Sequence, residues 1–157
     1  LKVASSEIGS NRKHRSNRFK TVVQYAIDMG YTLFNTSMAL KRGGRMIFVV
    51  GRESMVRKPP FYNSRIIEDM VEAIPSLYIE SVNERQFGNR YGECIKEDII
   101  TIVKHGEDTN IDLAVFEQIG MNHIKNALSY ADSELEGDLL AILSKKEIAS
   151  AEIFIGT

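Results

Sequence analysis

The segment that most constrains the fold is a short apolar run that follows a pair of glycines. Residues 46–50 read Met-Ile-Phe-Val-Val, and Gly43 and Gly44 precede them as a tight turn. Upstream, apolar side chains recur at helical spacing, which predicts a helix over residues 18–42 with one buried face. An apolar run without polar alternation is typical of a strand covered on both faces in a parallel sheet. The sequence therefore predicts an α/β fold built around this strand.

The rest of the chain continues with helical and strand patterns. Pro59 and Pro60 break the chain before an amphipathic helix predicted over residues 63–74. Two β-prone stretches follow at residues 77–86 and 94–103, and the glycine-containing segment between them predicts a hairpin. The last two strands should therefore form an antiparallel pair. Beyond residue 104 the pattern becomes helical again.

Composition excludes several classes of protein. The net charge of the 157 residues is -1, so any contact with nucleic acid has to come from local clusters of basic side chains. A single cysteine, Cys94, excludes an internal disulfide and predicts a cytoplasmic protein. No apolar run approaches the roughly 20 residues that span a bilayer, so no membrane partner is expected. His14, His105 and His123 lack the spacing of metal ligands, so no metal site is expected.

Several short segments are similar to one family of enzymes. They are Leu40-Lys-Arg-Gly-Gly-Arg45, Ser16-Asn-Arg-Phe-Lys20, Phe48-Val-Val-Gly-Arg-Glu-Ser54, Phe61-Tyr-Asn63 and Glu97-Asp-Ile99. Together they resemble the C-terminal half of bacterial DNA amino-methyltransferases of the restriction-modification type. These enzymes belong to the class I methyltransferases that depend on S-adenosylmethionine. The resemblance extends over residues 9–104.

The resemblance implies a fold and a reaction. The fold is a Rossmann-like class I half-sheet, mostly parallel with an antiparallel last strand, in a partial methyltransferase domain over residues 1–104. Residues 105–157 would form a helical extension. The reaction is transfer of a methyl group from S-adenosylmethionine to an exocyclic amino group of adenine or cytosine in double-stranded DNA. This chain would contribute the side of the fold that faces DNA and the target base.

The parts of the enzyme that carry out catalysis are not in this sequence. It contains neither the glycine-containing cofactor motif nor the catalytic Pro-Pro-Tyr-type loop, so the catalytic residues stay unknown. S-adenosylmethionine is accordingly expected as the cofactor of the complete enzyme only. The first residues, with neither an initiator methionine nor a signal peptide, predict a chain that begins inside a larger protein. We expect the missing N-terminal half or a dimer partner to complete it.

Four basic side chains near the start are candidates for binding DNA. Arg12, Lys13, Arg15 and Arg18 follow one another closely, and cations on such a loop displace counterions from phosphates. A solvated basic loop is the alternative interpretation. Arg52 is a further candidate because it follows the apolar strand, at the end where open α/β sheets place ligands. The alternative there is an ordinary polar loop.

Aromatic side chains in two loops are candidates for contact with the target base. Tyr62 could stack on an extruded base, although a Phe-Tyr pair before a helix is also typical of a hydrophobic staple with Asn63 as the cap. In the resembling enzymes the hairpin tip approaches the target nucleotide, which suggests phosphate contact by Arg90 and base stacking by Tyr91. The alternative is turn chemistry with incidental side chains.

Two functions of other kinds stay open at the level of sequence. One is a non-catalytic DNA-binding or assembly module derived from the methyltransferase fold. The other is a fragment of a small-molecule methyltransferase. Binding of duplex DNA that weakens with salt would favour a DNA-directed function, because contacts with phosphates release counterions.

Overall fold

The computed structural model describes residues 18–107 and 110–144 of the chain. The elements, in chain order, are α1 (Lys20–Ala39), β1 (Arg45–Gly51), β2 (Glu53–Met55), β3 (Pro60–Tyr62), α2 (Asn63–Glu72), β4 (Leu77–Gly88), β5 (Cys94–Lys104), α3 (Ala114–Ala127) and α4 (Ser133–Leu143). A single 3-10 turn at Leu128–Tyr130 precedes α4. The predicted helices over 18–42 and 63–74 are confirmed to within three residues at each end.

The main sheet has three strands in the order β1-β5-β4, and each neighbouring pair is antiparallel. The hairpin of β4 and β5 confirms that the last two strands form an antiparallel pair. The prediction of a mostly parallel, Rossmann-like half-sheet is wrong, because β1 is hydrogen-bonded to β5 and not to a strand that runs in its own direction. β5 lies between β1 and β4 and runs opposite to both of them. β2 and β3 form a separate two-stranded antiparallel sheet.

The prediction that residues 46–50 are covered on both faces is also wrong. Met46 is buried and Phe48 and Val50 are half-buried, whereas Ile47 and Val49 keep 64% and 50% of their surface exposed. α2 contacts all three strands of the sheet, and Met46 belongs to the same apolar core as the buried side chains of α2. Composition could not show this, because Ile and Val favour strands whether or not both faces are covered.

The helices pack closely because α1 and α3 each contribute a glycine to their crossing. Gly30 of α1 lies under the fully buried ring of Phe116, and Gly120 of α3 lies against Val23. A side chain larger than hydrogen at either glycine would hold the two helices apart. α2 packs between this pair and the sheet, and α4 packs on α3. The apolar side chains of all four helices join one core with those of the sheet.

Lys104, the last residue of β5, ties the sheet to the end of α1. Its side chain is buried, and its ammonium group donates hydrogen bonds to the carbonyls of Ser37 at 2.8 Å and Leu40 at 3.0 Å. Carbonyls in the last turn of a helix lack partners within the helix and carry partial negative charge, so a lysine stabilises them. The turn into β1 follows, where Gly43 has a φ of +79° that glycine adopts without strain.

Candidate functional site

The start of α1, the end of β1 and the start of α2 meet at one end of the sheet. Phe19 packs against Phe61, with 6.2 Å between their ring centroids. The side-chain amide of Asn63 donates to the carbonyl of Gly51 at 2.7 Å. The alternative interpretation of Asn63 as a helix cap is therefore wrong, since α2 has Tyr62 at its N-cap without a side-chain bond. These contacts fix the position of Tyr62 relative to β1.

Tyr62 lies on the border of two concave surfaces and lines both of them. Its side chain is 44% exposed. The first surface, which we name the Arg52 groove, has a volume of about 440 Å³ and is lined by Arg52, Tyr62, Arg65, Glu84 and Asp98 among others. The second, the His123 pocket, has a volume of about 290 Å³ and is lined by Tyr62, Arg65, Asp69, His123, Asn126 and Tyr130 among others. A planar group in contact with Tyr62 would therefore have space in the Arg52 groove or in the His123 pocket.

Arg52 is held by two carboxylates from the neighbouring strands. Its Nε donates to Asp98 of β5 at 3.2 Å, and its Nη2 forms an ion pair with Glu84 of β4 at 2.9 Å. Burial lowers the pKa of Arg52, but the attraction of the two carboxylates outweighs burial, so the pKa is raised overall. Through these contacts Arg52 links the end of β1 to the β4–β5 hairpin. Its predicted role as a phosphate ligand stays a prediction.

The Arg52 groove has no net positive charge, because its two arginines are outnumbered by the carboxylates of Glu68, Glu84 and Asp98. Its second cation, Arg65, lies 2.6 Å from Glu68 one turn further along α2. Each arginine of the groove therefore faces at least one carboxylate, and a phosphate bound there would have to displace it. A neutral planar group meets no such competition beside the ring of Tyr62. The charge of the groove is therefore better matched to a neutral group than to a phosphate.

The His123 pocket is built between α2 and α3. Nε2 of His123 lies 2.8 Å from Oδ2 of Asp69, and this contact joins the two helices. The rings of Tyr62 and Tyr130 and the amide of Asn126 also line the pocket. Pockets that hold small organic ligands usually have about 300–1,000 Å³, so this one suits a single ring system. Sequence reasoning missed it, because His123 and Asp69 are 54 residues apart and no local motif links them.

The tip of the β4–β5 hairpin presents Arg90 and Tyr91. The side-chain oxygen of Asn89 accepts from the N–H groups of Tyr91 at 2.9 Å and Glu93 at 3.0 Å, so turn chemistry shapes the tip as the alternative interpretation holds. Tyr91 is 72% exposed, and the guanidinium of Arg90 lies 4.7 Å from its ring centroid. The tip extends roughly 15 Å beyond Arg52, at the same end of the sheet. Both side chains are thus available to a ligand.

Besides Arg90 and Tyr91 of the hairpin tip, three predicted site residues lie at this end of the molecule: Arg18, Arg52 and Tyr62. Arg18 is exposed and directly precedes Phe19, whose ring contacts Phe61 beside Tyr62. Arg52 and Tyr62 line the same groove. The candidates Arg12, Lys13 and Arg15 lie outside the described residues.

The two surfaces around Tyr62 lack the glycine-lined cradle of a nucleoside cofactor site. Neither the Arg52 groove nor the His123 pocket has a glycine among its lining residues, so neither offers the close backbone approach that a nucleoside cofactor requires. S-adenosylmethionine therefore does not fit these two surfaces. Within residues 18–107 and 110–144, no three His, Cys, Asp or Glu side chains are grouped so that they could hold a metal ion. None of the described helices has the length and hydrophobicity needed to cross a membrane.

Comparison with known proteins was made at three levels. No protein family, no curated protein and no solved structure matches this chain. The resemblance to DNA amino-methyltransferases therefore stays a prediction from the sequence. Support for a function has to come from the side chains that meet around Tyr62.

Proposed function

We propose that this chain forms the DNA-facing part of a methyltransferase that transfers a methyl group from S-adenosylmethionine to an exocyclic amino group of adenine or cytosine. The observation that carries the proposal is the contact of Phe19 with Phe61, because it sets exposed Arg18, the residue before Phe19, at the same end of the sheet as the exposed ring of Tyr62. Cations for phosphates and an aromatic ring for a base are the two elements that such an enzyme needs on its DNA side.

The basic segment and the tyrosine take different roles in this proposal. Arg12, Lys13, Arg15 and Arg18 contact phosphates of the intact duplex, which gives affinity without sequence preference. Tyr62 stacks on the target base after that base has left the duplex. Extrusion costs a few kcal/mol, and stacking on an aromatic side chain returns about 1–3 kcal/mol per base. The charge balance of the Arg52 groove is consistent with a base and not a phosphate at this position.

The part of this chain in the reaction is to hold DNA and the base. No catalytic loop is present in its sequence, and S-adenosylmethionine does not fit the two surfaces around Tyr62. In this proposal the groups that bind the cofactor and polarise the amine are supplied by a separate N-terminal half or by a partner chain. Orientation of the base by Tyr62 contributes to the rate, since reacting groups that are held in place lose less entropy on reaction.

The phosphate contacts are tested by the salt dependence of duplex binding. The variant Arg15→Gln/Arg18→Gln is compared with Lys41→Gln/Arg42→Gln, which removes the same charge about 30 Å away at the other end of α1. We expect the first pair to flatten the plot of log affinity against log salt by up to about 0.9 for each lost contact, and the second pair to leave it unchanged. Equal effects of both pairs, or no binding of DNA by the unaltered chain, would contradict the proposal.

The role of Tyr62 is tested with a duplex in which the target base faces an abasic site. Such a base leaves the stack more easily, so the unaltered chain should bind this duplex more tightly than a fully paired one. Tyr62→Ala should weaken binding to the abasic duplex by about 5- to 150-fold, which corresponds to the stacking energy, and Tyr62→Phe should restore it.

Tyr78→Ala is the matched control for this measurement. Tyr78 is also 44% exposed, but it lies at the start of β4, away from Glu84 and the Arg52 groove. The Tyr78→Ala variant should bind both duplexes with the affinity of the unaltered chain. Equal affinity of the unaltered chain for paired and abasic duplexes would mean that no base is extruded, and a DNA-binding or assembly module would then be the better description.

A further inference from the structure

The outer edge of β1 faces no strand among the described residues, although the carbonyl of Gly51 at the end of β1 accepts a hydrogen bond from the side chain of Asn63 at 2.7 Å. At the two ends of its pairing with β5, the N–H of Lys104 donates to Gly44 and the N–H of Arg52 donates to Lys96, both at 3.0 Å. In an antiparallel ladder alternate residues point their backbone groups toward the partner strand, so the N–H and C=O groups of Ile47 and Val49 point away from β5. The described residues supply no strand on that side.

The two edges of this sheet differ in how they are protected. β4, at the other edge, has a bulge between Ile79 and Ser81 and carries Glu80, Glu84 and Arg85, which are features that prevent a further strand from pairing. β1 has neither a bulge nor a proline, and residues 46–50 carry no charge. A regular edge strand whose five central residues are apolar is suited to pair with another strand.

We infer that β1 pairs with β1 of a second copy of this chain, antiparallel and about a two-fold axis at Phe48. This pairing does not rest on the proposed function. It places Ile47 opposite Val49 of the second copy, and both residues point their backbone groups outward, as a hydrogen-bonded pair requires. Their side chains, now 64% and 50% exposed, would cover one another on the outer face. The two sheets would become one sheet of six strands.

Charge favours a second copy in this orientation over the alternatives. Lys41 and Arg42 precede β1 and Glu53 follows it, and all three are exposed. Antiparallel pairing centred on Phe48 brings the basic end of each strand to the acidic end of the other. Parallel pairing of two copies would instead bring basic end to basic end. The interface is therefore complementary to itself, as a closed two-fold dimer requires.

The dimer is tested first by its mass in solution, without DNA. Sedimentation of the 157-residue chain over the micromolar range should give twice the mass of one chain. Val49→Lys should give a single chain, because a lysine on an edge strand opposes pairing. Val82→Lys is the matched control, since Val82 is 41% exposed on the protected edge strand β4, and it should remain a dimer. A monomeric unaltered chain, or a dimer that persists in Val49→Lys, would overturn the inference.

The register is tested by cross-linking, and this also covers the case in which Val49→Lys fails to fold. The exposed Cys94 is replaced by serine, and Ile47→Cys and Val49→Cys are made as separate chains. A disulfide should form only after the two chains are mixed and left to exchange, because a hydrogen-bonded pair has Cα atoms about 5.5 Å apart, within disulfide range. In a dimer formed by one variant alone, the two cysteines lie diagonally across the paired strands, about 7–8 Å apart. Cross-linking of either chain alone to the same extent, or none on mixing, would refute the pairing.

Discussion

The substitution Gly120→Ala tests the close crossing of α1 and α3. A Cβ added at Gly120 would lie 2.8 Å from the Cα of Val23, 3.0 Å from the Cβ of Ala26 and 3.2 Å from Cγ1 of Val23. The nearest of these atoms belongs to the backbone of α1, so no side-chain rotation can relieve the contact. The added methyl group has to move one helix away from the other, which loosens the packing along the whole crossing.

The expected size follows from two opposing effects. Overpacking of a core costs about 1–3 kcal/mol, and the backbone contact places this case in the upper part of that range. Alanine is better than glycine in a helix by about 0.8–1.0 kcal/mol, which offsets part of the cost. We therefore expect Gly120→Ala to lower the free energy of unfolding by about 1–2 kcal/mol.

The assay is urea unfolding of the full chain followed by circular dichroism, with Gly137→Ala as the matched control. Gly137 lies in α4 and is exposed, and a Cβ there meets nothing within 4 Å. The control should gain about 0.8–1.0 kcal/mol from helix propensity alone. The midpoints of the two variants should therefore move in opposite directions at unchanged m-value. If Gly120→Ala were stabilised as much as Gly137→Ala, the helices could not cross as closely as described.

Two further predictions concern buried and exposed charges. Lys104→Met removes both hydrogen bonds to the end of α1 and takes this donor from the carbonyl of Leu40, so the free energy of unfolding in urea should fall by about 2–4 kcal/mol, against less than about 0.5 for exposed Lys96→Met. Hydrogen bonding to Arg45 lowers the pKa of Glu80. That pair stabilises the fold above the ordinary carboxyl pKa near 4.3, and its contribution is lost as pH falls through the lowered pKa. Melting temperatures of Glu80→Gln and the unaltered chain should differ at pH 7 and converge in acid.

Local patterns predicted the elements of this fold but not their pairing. The helix before the glycine turn and the β4–β5 hairpin are correct because each depends on residues close in sequence. The position of β5 between β1 and β4 depends on contacts such as Phe48 with Ile100, which are 52 residues apart. The apolar composition of β1 does not show which strand lies beside it, so the prediction of a parallel sheet rested on that composition and on the resemblance, and both were misleading.

The same limit applies to the candidate site. Arg52 and Tyr62 could be identified because each directly borders a recognisable strand or helix. The two carboxylates that hold Arg52 come from β4 and β5, and only the folded sheet brings them together. Lys104 looks from sequence like a polar residue at the end of a strand, although its side chain is buried against the end of α1. Long-range partners of charged residues are the part that sequence does not predict.

The error about β1 is itself informative about the molecule. Its composition is typical of a strand with neighbours on all sides, yet the described residues leave its outer edge and one of its faces uncovered. A local pattern that disagrees with its surroundings marks a place where another partner acts. A second copy on this edge would leave Tyr62 accessible, because the antiparallel pairing turns the two Tyr62 surfaces toward opposite ends of the joined sheet. Dimerisation through β1 and DNA binding around Tyr62 are thus compatible, and each can be disrupted without the other by Val49→Lys or Tyr62→Ala.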